Sequence, residues 1–132
     1  MTGETDLAKL LATMSPQLLA GEYVFCTFAD ARYGELAQLG PIAAVQEAEG
    51  LTLIIPRSRA DENNLPYETV LKGITLTIHS SLDAVGLTAA FAQQLSHHGI
   101  SANVIAGYYH DHIFVQSKHA ERAMKALAEF AD

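Results

Sequence analysis

Residues 74–88 read Ile74-Thr75-Leu76-Thr77-Ile78-His79-Ser80-Ser81-Leu82-Asp83-Ala84-Val85-Gly86-Leu87-Thr88, and their hydrophobic period changes midway. Ile74, Leu76 and Ile78 alternate with Thr75, Thr77 and His79, the two-residue repeat of a strand with one buried face. From about Ala84 to His98 the spacing turns helical. Leu87, Phe91 and Leu95 form an apolar stripe, Asp83 stands where an N-cap is needed, and Gly99 stands at the C′ stop. Downstream, Ala102 to Tyr109 and His112 to Gln116 read as a hairpin turning at His110-Asp111. Ser117 is then placed to cap a last helix with Ala120, Ala123, Met124 and Leu127 on one face. Strand, helix, strand, strand, helix lacks only the closing strand of a ferredoxin-like βαββαβ unit.

Upstream, Leu7, Leu10, Leu11 and Met14 repeat at helical spacing, with Thr5 or Asp6 as cap and Pro16 beyond the end. Glu22 to Phe28 reads as a strand bounded by Asp30 and Gly34. Ile42 to Glu47 and Leu51 to Ile55 read as a hairpin across Glu49-Gly50, stopped by Pro56. Arg57 to Asn64 is polar and offers at most a short helix of weak propensity. The two hairpins superimpose as a weak internal repeat, although Ala29 to Gly40 is too short and Gly-broken for a full helix in the first copy. The expectation is an α+β fold of two ferredoxin-like units with antiparallel sheets covered by helices. Residues 1–68 would hold the N-terminal helix and a shortened unit, and residues 69–132 the second unit. A strand such as Tyr23 to Phe28 could supply the second unit's missing closing strand. Sequential and interleaved arrangements both remain open at this point.

Composition bounds the function. Of 132 residues, 49% are hydrophobic and 17% charged, enough to bury a core and contrary to a disordered chain. A net charge of −7 with eight scattered basic residues argues against nucleic acid and against an anionic membrane surface as partners. Cys26 is the lone cysteine, which excludes an internal disulfide and fits a reducing compartment; its apolar neighbours suggest a buried thiol. The acidic N-terminus shows no targeting signal and no window approaches a membrane span, so the expected location is the cytoplasm. His110 and His112 flank Asp111, but no His-x-x-x-His or Glu-x-x-His occurs at helical spacing, and Cys26 has no partner at zinc spacing. No metal and no cofactor are expected. His79-Ser80-Ser81 lacks a nucleophile elbow, and there is neither a Gly-rich phosphate loop nor a carboxylate pair on one helix face. An enzyme is not the expectation.

Three segments carry a family resemblance covering most of the chain: Glu49 to Pro56, Ile74 to Thr88, and Gly99 to Val104 running on to Asp111-His112-Ile113-Phe114-Val115. Together they resemble the small bacterial tandem ACT-domain proteins of uncharacterised function. More distantly, they are similar to the paired ACT units of aspartokinase regulatory domains and of cytosolic arginine sensors. The resemblance implies a regulatory, amino-acid-binding protein with a tendency to form homodimers. Its ligand would lie between the Ser80 to Thr88 loop and the strand around Asn103-Val104-Ile105. The residues so implied are Ser81, Leu82, Asp83, Gly86, Leu87, Asn103, Val104 and Asp111. Free N–H groups at a helix start suit a ligand carboxylate, Gly86 allows close backbone approach, and Asp111 would pair with an ammonium or guanidinium. Asp83 would repel an incoming carboxylate unless turned to cap the helix. The competing reading is a pure interaction module, with homodimerisation as its output and no ligand.

Overall fold

The computed structural model describes residues 7–77 and 86–131. In chain order its elements are α1 (Leu7–Thr13), β1 (Ser15–Leu18), β2 (Tyr23–Phe28), β3 (Ala43–Glu47), β4 (Gly50–Pro56), α2 (Arg57–Glu62), β5 (Leu71–Thr77), α3 (Leu87–His97), β6 (Asn103–Ala106), β7 (Asp111–Gln116) and α4 (Ala120–Ala128). The fold is α+β, and the chain divides into two compact units. A central unit spans Gly21–Leu71, and a split unit joins residues up to Ala20 with those from Lys72 onward.

In the split unit the strand order is β1-β5-β7-β6, the ferredoxin-like order in which the opening strand lies between the closing strand and the third. The closing strand comes from the N-terminus. Ser15↔Thr77 through Leu18↔Ile74 pair antiparallel, so the slot offered to Tyr23–Phe28 in the sequence reading is taken by Ser15–Leu18. Pro16, expected to lie beyond a helix end, sits within this short strand. Among the described strands β1 pairs with β5 alone, and a strand paired on one side tolerates the missing N–H of proline. Leu10 and Met14 bring α1 into one cluster with Ile74, Leu76, Phe91, Leu95, Ile113, Val115, Ala123 and Leu127. The space division therefore differs from the sequential one at 68/69: the first 20 residues complete the second unit's sheet and core.

Three local details differ from the sequence reading. The β6–β7 hairpin turns at Tyr108-Tyr109, closed by the Gly107 N–H donating to the His110 carbonyl at 2.9 Å, so Asp111 is already in β7. The N-cap of α3 is Gly86, with φ 86° and no side-chain cap; Asp83 and Ala84 lie outside the described residues. A 3-10 turn, Ser117–His119, precedes α4, whose N-cap is His119. At the other end of α3 the expected stop is present: Gly99 has φ 72°, and the Ile100 N–H donates back to the Leu95 carbonyl at 2.9 Å.

The central unit is a three-stranded antiparallel sheet in the order β3-β4-β2. Its registers run Tyr23↔Pro56 to Phe28↔Leu51 and Ala43↔Ile54 to Glu47↔Gly50. Val24, Cys26, Leu39, Leu51, Leu53, Ile55 and Ala60 bury one face. Gly50 is required at its position. Its φ is 146°, and a Cβ there would stand 2.6 Å from the Phe28 carbonyl oxygen, closer than real side chains tolerate. Arg57 ties the far end together, pairing with Glu22 at 2.9 Å and donating to the Tyr67 hydroxyl at 3.1 Å, which in turn donates to Asp61 at 2.8 Å. Cys26 is buried as its neighbours suggest, and burial pushes its thiol up, away from the reactive thiolate.

Candidate functional site

In the split unit β5 ends at Thr77 and α3 begins at Leu87; Ser81, Leu82 and Asp83 lie outside the described residues. At the mouth of α3, a Cβ on Gly86 would meet the Leu7 Cδ2 at 3.5 Å, so a side chain of α1 stands beside the helix start. Leu87 is buried in the cluster that Ile113 shares, and Val104 packs against that same cluster. The fold thus brings the start of α3 and the β6–β7 pair over one core. Asn103 is not part of this grouping. Side chains alternate along a strand, so Asn103 takes the face opposite Val104, where it is exposed and its Nδ2 donates to the Phe114 carbonyl at 3.1 Å.

Asp111 opens β7 opposite Ala106. It alternates with Ile113 and Val115, so it shares their helix-covered face and is half-buried there. Burial pushes its carboxyl above the ordinary range, partly opposed by His112 and His110. On the other face, the Thr75 hydroxyl and His112 Nδ1 share a hydrogen bond of 3.0 Å. A Cβ on Gly73 would meet Phe114 at 3.0 Å, so contacts between β5 and β7 run in opposite chain directions. Asp111 therefore lies at the end of the sheet where β5 gives way to residues 78–85. Burial holds the His112 imidazole below its ordinary value, favouring the neutral ring. Among the described residues no three His, Cys, Asp or Glu side chains converge as a metal-binding set.

A second location went unmarked in the sequence reading. Between β2 and β3 the central unit has a single 3-10 turn, Ala37–Leu39, flanked by Leu36 and Gly40, both left-handed at φ 66° and 65°. A full helix would cover the sheet edge; this turn does not. The result is an open concavity of about 390 Å³ between the loop and the β3–β4 pair, lined by Tyr33, Glu35, Pro41, Ile42, Ala44 and Leu53, among others. Leu53 belongs to the buried core and Ala44 is its register partner, so the floor is the core face of the sheet, left bare because residue 44 is an alanine; Ala43, paired with Ile54, takes the other face. Two hydrogen bonds to side chains fix the loop wall. The Tyr33 N–H donates to Gln46 Oε1 and the Arg32 N–H to Glu35 Oε1, each at 2.6 Å. The available sequence signal was the pairing of a loop too short for a helix with a small residue, Ala44, on the next strand.

The ACT-domain models match residues 2–72 and 70–129. A Vibrio cholerae protein of unknown function, described as a possible transport protein, is 53% identical over 97% of this chain and 98% of its own, with a TM-score of 0.89. An Agrobacterium tumefaciens protein shares 18% identity over 89% of each chain at a TM-score of 0.74. The ligand-free regulatory subunit of aspartate kinase from Thermus thermophilus shares 10% identity over 92% of this chain and 99% of its own, at 0.66; at such identities the likeness is one of fold. No functionally curated protein matches the chain. The chain belongs to the ACT-domain family and carries two ACT domains in tandem.

Proposed function

We propose that this protein is a non-catalytic regulatory module that binds an amino acid or a similar small ligand at a junction of loop and strand. The observation that carries the reading is the concavity of about 390 Å³ between the β2–β3 loop and β3, a volume within the range of small-molecule sites. Membership of the ACT family and the aspartate kinase regulatory subunit among proteins of like fold lend it support. In the split unit, Ser81, Leu82, Asp83, Gly86, Leu87, Val104 and Asp111 remain the proposed second site. There the half-buried Asp111 carboxylate would face a ligand cation, while Asn103 would contribute through its backbone and the strand edge. Regulation would follow from differential binding: the ligand favours one arrangement of the protein, and a partner reads it.

A thermal-shift panel of the proteinogenic amino acids tests this. A ligand at 100 times its Kd adds about 2.7 kcal/mol, which for cooperative unfolding of 132 residues raises Tm by roughly 10 °C. Loss of the shift in Ala44→Phe would assign the central concavity, and loss in Asp111→Ala the split unit. A second reading, homodimerisation, has its own observation: β3 is an edge strand of its sheet, and Val45 on it is 55% exposed. A flat panel alongside a concentration-dependent dimer in sedimentation would favour that reading and end the ligand-binding one.

A further inference from the structure

The lining of the central concavity carries one charged group, and it is acidic. Glu35 is the sole charged residue of its lining, which includes no Lys, Arg or His. One carboxylate oxygen accepts the Arg32 backbone N–H. Among the described residues Glu35 forms no salt bridge with a Lys or Arg side chain. Beside it stands the Tyr33 ring, 70% exposed, and beneath lie the hydrocarbon surfaces of Pro41, Ile42, Ala44 and Leu53. The surrounding unit reinforces that sign. Gly21–Leu71 carries eight Asp and Glu against three Arg, with no Lys or His, which places −5 of the chain's net −7 in this unit.

We propose that this concavity selects a small organic cation, an aliphatic ammonium or guanidinium with a short apolar body. The inference rests on the ligand-site reading above and adds the chemical class to it. The cation would take the free oxygen of Glu35 and the face of Tyr33, since carboxylate and aromatic ring both attract positive charge. Its hydrocarbon part would cover the alanine and leucine floor. The negative potential of the unit raises the local concentration of cations and lowers that of anions. An anionic ligand would meet Glu35 with no basic side chain in the lining to offset it; the nearby Arg59 guanidinium is engaged by the Gln38 carbonyl. A zwitterionic amino acid fits with its ammonium, or a basic side chain, at this end.

The test uses three probes with one five-carbon body: pentylammonium, pentan-1-ol and pentanoate. Each is titrated into the whole protein and followed by the amide resonances of Gly34 and Ala44. Pentylammonium should bind at least tenfold more tightly than pentan-1-ol, and pentanoate more weakly still. Glu35→Gln should remove most of the difference between cation and alcohol while leaving the unliganded Tm unchanged, because Gln keeps an oxygen for the Arg32 N–H. Ala44→Phe should abolish binding of all three. Equal binding of cation and alcohol, a preference for pentanoate, an unchanged order in Glu35→Gln, or no response to any probe overturns the inference. The amino-acid panel judges the ligand-site reading separately: a ligand lost in Ala44→Phe but indifferent to Glu35→Gln would uphold the site and end the cation selectivity.

Discussion

Leu10→Ala probes the split architecture directly. Leu10 lies on a seven-residue helix whose neighbours Ala8, Lys9 and Ala12 are exposed, yet its own side chain is 1% exposed, within the cluster of Phe91, Leu95 and Leu127. Removing a buried leucine to alanine costs about 2–5 kcal/mol, depending on how far the surroundings collapse into the space. A short helix near a terminus can relax, so the lower part of that range, about 2–3 kcal/mol, is expected. With an unfolding entropy of about 2.1 cal/mol/K per residue, that corresponds to a Tm lower by roughly 7–11 °C. Urea denaturation followed by circular dichroism should show the midpoint falling with an unchanged slope. Ala12→Ser, on the exposed side of the same helix, should stay within about 0.5 kcal/mol. If Leu10→Ala is equally silent, the N-terminal segment does not complete the core of the split unit, and the placement of α1 over it is wrong.

Two further expectations concern the backbone and a charge. Gly50→Ala should destabilise by at least about 2 kcal/mol in the same urea assay, since both φ and the Phe28 carbonyl oppose a side chain; a neutral result would mean the β3–β4 turn takes another conformation. Asp111 has its folded-state carboxyl raised by burial, so the folded state holds its proton more tightly than the unfolded one. The associated stability is complete below the unfolded value near pH 4 and is lost as pH rises through the folded value. Asp111→Asn should therefore raise Tm at pH 7 and lose that advantage near pH 3.5. A lower Tm at pH 7 would show that the carboxylate is held by favourable contacts instead.

Periodicity and punctuation determined much of this protein. The alternation of Ile74 and Leu76, the stripe of Leu87, Phe91 and Leu95, the stop at Gly99 and the apolar face of α4 follow from which side chains must leave water, and the fold preserves each. The similarity of Glu49 to Pro56, Ile74 to Thr88, and Gly99 to Val104 running on to Asp111–Val115 to ACT proteins was legible as well, because the residue types themselves carry it. What local pattern could not carry was partner choice. Ser15-Pro16-Gln17-Leu18 has no strand signature; it is a strand because the open edge of β5 beside it needs backbone partners. The move of Asp111 from a turn into β7 depended on one hydrogen bond, Gly107 to His110, and with it the burial of its carboxyl. The central concavity is likewise tertiary, since it exists only where a loop too short for a helix meets the small side chain of Ala44 on a neighbouring strand. Hydrophobic periods record which face of an element is buried. They do not record which distant segment covers that face, or where none does, and a ligand site is a place of the second kind.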